Sequence, residues 1–166
     1  MQLPTPHDRA RAKRVFLAED DDDLRDALEG LLGRRGFDVV AVASGHEMLR
    51  AMSAVARGER AEPDAILLDI RMGSGSGLDV LLALRLADWT QPVVMMTGYA
   101  DPRTHERAAE YGAAVILDKP FDGEDLVRIL QIVIATHPRG LDDDDDDEPP
   151  TLRSPGRDPW PAARLG

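Results

Sequence analysis

A chain of 166 residues with 43% hydrophobic and 31% charged side chains is long enough for one globular domain with a full core. Thirty-one acidic against 20 basic residues give a formal charge of −11, the wrong sign for gripping a nucleic-acid backbone or adsorbing to an anionic membrane surface. The absence of cysteine excludes disulfides, thiolate zinc sites, iron–sulfur clusters and a cysteine nucleophile, and no apolar run approaches the roughly 20 residues of a membrane span.

Residues Met1 to Arg14 are polar and basic with no apolar segment behind them, which predicts a disordered leader over 1–13, no signal peptide and a cytoplasmic location. Val15 to Ala18 is a short apolar strand that runs into the acidic residues Glu19 to Asp23. Leu24, Ala27, Leu28, Leu31 and Leu32 then recur at helical spacing, with Asp22 or Asp23 as the cap and Gly36 as the stop. Asp38 to Ala43 reads as a strand, and Ser44 precedes a helix reaching about Arg57. Ala65 to Leu68 is a wholly apolar strand ending at Asp69, followed by a helical stripe of Leu78, Leu81, Leu82 and Leu86. Val93 to Met96 ends at Thr97, a short helix covers about Pro102 to Tyr111, and Val115 to Leu117 ends just before Lys119-Pro120. Leu126, Ile129, Leu130, Val133 and Ile134 line the last helix. From Pro138 to Gly166 the chain turns acidic and proline-rich, with Asp142 to Glu148 an unbroken anionic run, which predicts a disordered tail.

Five alternating strand–helix units, with strands apolar on both faces, imply an α/β fold: a doubly wound five-stranded parallel sheet with helices on both faces. In such folds ligands bind beyond the carboxyl ends of the strands. Those ends here carry Glu19, Asp20 and Asp21, then Asp69, Thr97 and Lys119. Each has an ordinary alternative: the acids as helix caps, Asp69 and Thr97 as turn residues, Lys119 as a solvated lysine. Together they are complementary. Converging carboxylates repel unless a cation joins them, and hard oxygen donors with water access suit Mg²⁺. A lysine aimed at the same point can hold an anionic group, and a hydroxyl can orient a phosphoryl oxygen. This is the equipment of an aspartate nucleophile with a metal and a cationic clamp.

At these residues the sequence resembles the receiver domain of bacterial two-component response regulators, over about Arg14 to His137. The motifs stand here as Val15-Phe16-Leu17-Ala18-Glu19-Asp20-Asp21, Ile66-Leu67-Leu68-Asp69-Ile70-Arg71-Met72 with Gly77 beyond, Val94-Met95-Met96-Thr97-Gly98 and Leu117-Asp118-Lys119-Pro120-Phe121. The resemblance implies a flavodoxin-like strand order 2-1-3-4-5 and phosphorylation of Asp69 by a sensor histidine kinase or phosphotransfer protein. It implies that Asp20 and Asp69 bind Mg²⁺ directly, Glu19 through water, and the backbone carbonyl of Arg71 as a further ligand. Thr97 then hydrogen-bonds the phosphoryl group, Lys119 pairs with it, and the Lys119–Pro120 peptide is cis. Output is expected by protein–protein contact with a downstream protein, around Arg103 to Tyr111, Val115 to Leu117 and Asp125 to Gln131, with no nucleic-acid or membrane partner.

Three departures from the family stand out. Ile116 occupies the place of a switch aromatic. Gly73 replaces a proline in the loop Gly73-Ser74-Gly75-Ser76-Gly77, which should make that loop more mobile. The stretch between Leu49 and Asp64 is long and predicts an extended surface loop. Arg71 and Tyr99, two residues beyond Asp69 and Thr97, stand where family side chains flank the path of attacking water, and their bulk predicts a long-lived phosphoryl group. The expected function is a single-domain response regulator that is not an enzyme beyond its own phosphorylation and dephosphorylation. The alternatives are a phosphorylation-independent pseudo-receiver acting as a binding module and a small Mg²⁺-dependent phosphatase. The phosphatase is disfavoured because Arg71 stands where such enzymes carry an acidic proton donor.

Overall fold

The computed structural model describes residues 11–73, 75–99 and 101–137. The leader expected over 1–13 lies outside the described residues apart from 11–13, and the tail expected over 138–166 lies outside them altogether. In chain order the elements are β1 (Arg14–Ala18), α1 (Asp22–Arg34), β2 (Asp38–Val42), α2 (Gly45–Ala56), β3 (Ala65–Asp69), β4 (Arg71–Met72), β5 (Gly75–Ser76), α3 (Gly77–Leu86), β6 (Val93–Thr97), α4 (Pro102–Glu110), β7 (Val115–Asp118) and α5 (Gly123–Thr136).

Five of the strands form one parallel sheet in the order β2-β1-β3-β6-β7. Counting only that sheet, the order is 2-1-3-4-5, the expected flavodoxin-like arrangement. Side chains leave a strand alternately to its two faces, and both faces here are covered. Phe16 and Ala18 of β1, Ile66 and Leu68 of β3, and Val93 and Met95 of β6 enter a core with Met48, Met52, Leu81, Leu84 and Ala108 of α2, α3 and α4. Their neighbours Val15, Leu17, Ala65, Leu67, Val94 and Met96 enter a second core with Leu28 and Leu32 of α1 and Leu126, Leu130 and Val133 of α5. The central strands therefore read as unbroken apolar runs, and truncating a fully buried residue such as Leu67 to alanine should cost about 2–5 kcal/mol. Leu86, read as part of the α3 stripe, is exposed, and Leu84 takes the buried place.

Each helix among the described residues opens on a polar side chain that accepts a backbone N–H: Asp21, Ser44, Ser76, Asp101 and Asp122. For α1 the cap is Asp21, not Asp22 or Asp23 as expected. Its Oδ1 accepts the Leu24 N–H at 2.9 Å, and Asp22 and Asp23 fall in the first turn, where carboxylates still suit the helix dipole. The glycine-rich stretch after Asp69 is a small antiparallel hairpin, Arg71 opposite Ser76 and Met72 opposite Gly75. Strands of two residues carry no periodicity that a sequence could reveal. Residues 11–13 are tied to the body, since Arg11 forms a two-pronged ion pair with the buried Asp64 at 2.9 and 3.0 Å. Among the described residues no helix is long and apolar enough to cross a membrane.

Candidate functional site

Because the strands run parallel, their carboxyl ends share one edge of the sheet. Glu19 and Asp20 follow β1, Asp69 ends β3, Thr97 ends β6 and Lys119 follows β7. Glu19, Asp69 and Thr97 are buried, whereas Asp20 is exposed. Carboxylate oxygens of Glu19, Asp20 and Asp69 lie within 4.8 Å of one another. Lys119 Nζ donates to Glu19 Oε2 at 2.9 Å and to Asp69 Oδ2 at 3.0 Å.

Three carboxylates and one ammonium leave a surplus of negative charge in a partly buried place. Burial pushes the Glu19 carboxyl above its ordinary value, and the Lys119 hydrogen bond and the Asp21 N–H offset this only in part. Burial also works against the Lys119 ammonium, but the hydrogen bonds and charges of Glu19 and Asp69 outweigh it and raise its pKa above 10.5. Lys119 is therefore a fixed cation.

Backbone groups set the carboxylates. Asp69 Oδ1 accepts the Arg71 N–H at 3.1 Å and Asp20 Oδ2 accepts the Gly73 N–H at 2.8 Å. A proline at position 73 has no N–H to give, so the contact requires a residue other than proline there. The Glu19 backbone is held by Val42, whose carbonyl accepts its N–H at 3.2 Å, and by Arg25 of α1, whose Nη1 donates to the Glu19 carbonyl at 2.9 Å. Asp21 caps α1 and donates its own N–H to Glu19 Oε1 at 3.1 Å. Gly77, where α3 starts, passes against the Asp69 backbone: a Cβ there would lie 2.1 Å from the Asp69 carbonyl oxygen.

Thr97 reaches the same edge but does not join the charged cluster. Its hydroxyl donates to the Tyr99 carbonyl at 3.0 Å and accepts the Tyr99 N–H at 3.1 Å. The Lys119 N–H donates to the Thr97 carbonyl at 2.7 Å, and the Lys119–Pro120 peptide is cis. The Arg71 guanidinium carbon sits 4.6 Å above the centre of the Tyr99 ring. Ile116 is half-buried and packs into the core beneath α4. An open cleft of about 540 Å³ beside the carboxylates is lined by Asp20, Arg71, Gly73, Ser76 and Thr104 among others.

The structure thus brings Glu19, Asp20, Asp69 and Lys119 together and leaves Thr97 turned aside. Sequence reasoning missed Asp21 as the cap, Arg25 as the brace of Glu19, the Gly73 N–H and the close pass of Gly77. A signal existed only for Gly77, a glycine directly ahead of an apolar helical stripe. The donor set, three carboxylates with one open to water, fits a hard divalent cation such as Mg²⁺.

The model of the response regulator receiver domain matches residues 15–131. The regulatory protein AtoC of Escherichia coli (strain K12) is 30% identical over 118 residues, 71% of this chain and 24% of AtoC. The transcriptional regulatory protein PdtaR of Mycobacterium tuberculosis is 29% identical over 134 residues, 79% of this chain and 61% of PdtaR. This chain therefore spans less than two thirds of either relative. Among solved structures, the Vibrio cholerae chemotaxis protein CheY4 superposes with a TM-score of 0.65 at 27% identity, covering 74% of this chain and 98% of that one.

Proposed function

Because this chain belongs to the response regulator receiver family, we propose that Asp69 takes a phosphoryl group from a phosphohistidine, on a sensor histidine kinase or a phosphotransfer protein, in a Mg²⁺-dependent reaction. The observation that carries this reading is the Lys119 ammonium bridging Asp69 and Glu19, with Asp20 completing a tight carboxylate cluster.

A carboxylate oxygen of Asp69 forms the new P–O bond as the P–N bond of the donor breaks, and the imidazole leaves with that electron pair. The Arg71 N–H on one oxygen and Lys119 on the other orient the carboxylate beforehand. Glu19, Asp20, Asp69 and the Arg71 carbonyl would hold Mg²⁺, which would supply charge neutralisation at the phosphoryl oxygens. Lys119 shares its donors between the carboxylates and the incoming anionic oxygens. Thr97 gives up the Tyr99 carbonyl and donates to a phosphoryl oxygen, which draws the start of α4 toward the site. The domain is a phosphoryl-accepting signalling element, not an enzyme acting on a free substrate. Its output is protein–protein contact through α4, β7 and α5, around Arg103 to Tyr111, Val115 to Leu117 and Asp125 to Gln131, in keeping with a charge of −11 that disfavours nucleic acid.

The test is incubation with Mg²⁺ and acetyl phosphate, read by intact mass, with Asp69→Asn alongside. Gain of one phosphoryl group that needs Mg²⁺ and is lost in the variant is expected. No gain from acetyl phosphate or from any sensor kinase would leave the phosphorylation-independent binding module as the better reading.

A further inference from the structure

His105 lies on α4, four residues after the cap Asp101, and takes no part in the chemistry above. Its Nδ1 is 3.0 Å from the Asp101 carbonyl oxygen and its Nε2 is 2.9 Å from Asp118 Oδ1. Both partners can only accept. A neutral imidazole has one N–H and serves one of them, whereas the imidazolium donates to both. Protonation therefore decides whether the ring holds the start of α4, at the Asp101 carbonyl, and the end of β7, at Asp118, at the same time or reaches only one of them.

Those two elements frame the site. Asp118 immediately precedes Lys119 and pairs with Thr97 across the β6–β7 ladder. Asp101 holds the first turn of α4, where it accepts the Arg103 N–H and the Thr104 hydroxyl, each at 3.2 Å. Thr104 in turn lines the cleft beside Asp20 and Arg71.

We propose that His105 is a pH-sensitive positioning residue that, in its doubly donating form, pins the start of α4 to the end of β7 and so sets the cleft wall and the strand ends bearing Thr97 and Lys119. The charged groups acting on it are Asp118 from β7 and Asp101 from its own helix. From α3, packed beside α4, Arg85 is committed to the carbonyls of Trp89 and Gly112 at 2.7 and 3.0 Å, and Asp79 is exposed in the first turn. The Asp101 carbonyl, then Asp118 and the two negative charges, outweigh desolvation and raise the His105 pKa above 6.5. A histidine whose pKa is higher in the folded state stabilises that state fully below 6.5 and ceases to do so as pH rises through the raised value. The closed latch therefore belongs to the acid side of that window.

The proposal deepens the phosphoryl-acceptor reading and rests on it only for the consequence at Asp69. The full chain is titrated by NMR, with the His105 ring assigned by its loss in His105→Gln and the amide exchange of Arg103 and His105 followed alongside. The His105 midpoint is expected above 6.5, and Asp118→Asn should bring it down. Once corrected for intrinsic pH dependence, exchange of the two amides should rise a few-fold through the same window, the size an exposed ion pair supports, and in His105→Gln the Arg103 amide should stay flat. A midpoint at or below 6.5, or flat exchange in the wild type, overturns the latch. The acetyl phosphate rate, taken as the wild-type to His105→Gln ratio, should change a few-fold over the window, and a constant ratio overturns the link to the site. If neither protein takes up phosphate, the phosphoryl-acceptor reading fails and the latch is judged on exchange.

Discussion

The two halves of the strand-end site are held by different forces. Where β1, β3 and β7 end, opposite charges a hydrogen bond apart have already met: Lys119 bridges Glu19 and Asp69 while backbone N–H groups hold Asp20 and Asp69. Where β6 ends, the only reactive group is a hydroxyl, and it is satisfied by the backbone of Tyr99 two residues on. Coulomb attraction between partly buried opposite charges assembles the first half. A hydroxyl has no comparable long-range pull and takes the nearest backbone partners. The charged half therefore stands ready-made, and under the proposed function the hydroxyl half turns to meet an arriving phosphoryl oxygen.

The sharpest way to break the standing half is to move the Asp69 backbone. In Gly77→Ala the new methyl would lie 2.1 Å from the Asp69 carbonyl oxygen and 3.1 Å from the Ile70 Cα, so the main chain must shift. Overpacking usually costs about 1–3 kcal/mol, and a clash with backbone belongs at the upper end. The denaturation midpoint should fall, and phosphoryl uptake at Asp69 should fall with it. Gly73→Ala is the control: its methyl meets only Asp20 Oδ2 at 3.5 Å, an ordinary contact, and the N–H to Asp20 survives. If the two variants behave alike, the position of Asp69 is less tightly set than this geometry requires.

The same contrast explains what was legible in the sequence. Apolar runs such as Ala65 to Leu68 and the stripe from Leu126 to Ile134 announce strands and helices because burial imposes their period. The charged residues at the strand ends were legible because their chemistry is complementary and a parallel sheet must bring those ends together. Strand order itself came from the family resemblance, not from periodicity. Features set by single contacts were not legible. Five successive acids from Glu19 to Asp23 look alike in composition, so the cap could be placed only to within a residue or two. Arg25 reaching back to the Glu19 carbonyl, His105 reaching Asp118 and the Thr97 hydroxyl facing Tyr99 depend on side-chain directions that no spacing rule encodes.

Thr97→Val sharpens the comparison from the other side. It removes a hydroxyl bonded to the Tyr99 backbone, so the unphosphorylated fold should lose about 0.5–1.5 kcal/mol. Lys119 and the three carboxylates keep their arrangement, and phosphoryl uptake should persist. What should disappear is the response of β6 and α4. On phosphorylation, amide shifts at Gly98, Tyr99 and Arg103 are expected to move in the wild type and in Thr97→Ser and to stay nearly still in Thr97→Val. Equal shifts in Thr97→Val would show that the hydroxyl half takes no part in the switch.

The smallest effect is expected where the two halves touch. Arg71 follows the charged half and Tyr99 the hydroxyl half, and the guanidinium lies over the ring at 4.6 Å. An exposed cation–π contact of this kind contributes only about 0.5–1 kcal/mol, so replacing both residues with alanine should hardly change folding stability. Arg71 and Tyr99 nevertheless stand two residues beyond Asp69 and Thr97, where the family resemblance implies the approach of hydrolytic water. The double variant should therefore lose its phosphoryl group a few-fold faster, followed by intact mass after the donor is removed. A stack needs both partners, so Arg71→Ala or Tyr99→Ala alone should produce most of the acceleration, and the two effects should not add. Additive single effects would mean that each side chain shields the site by its own bulk, and an unchanged rate would reduce the pair to a surface contact.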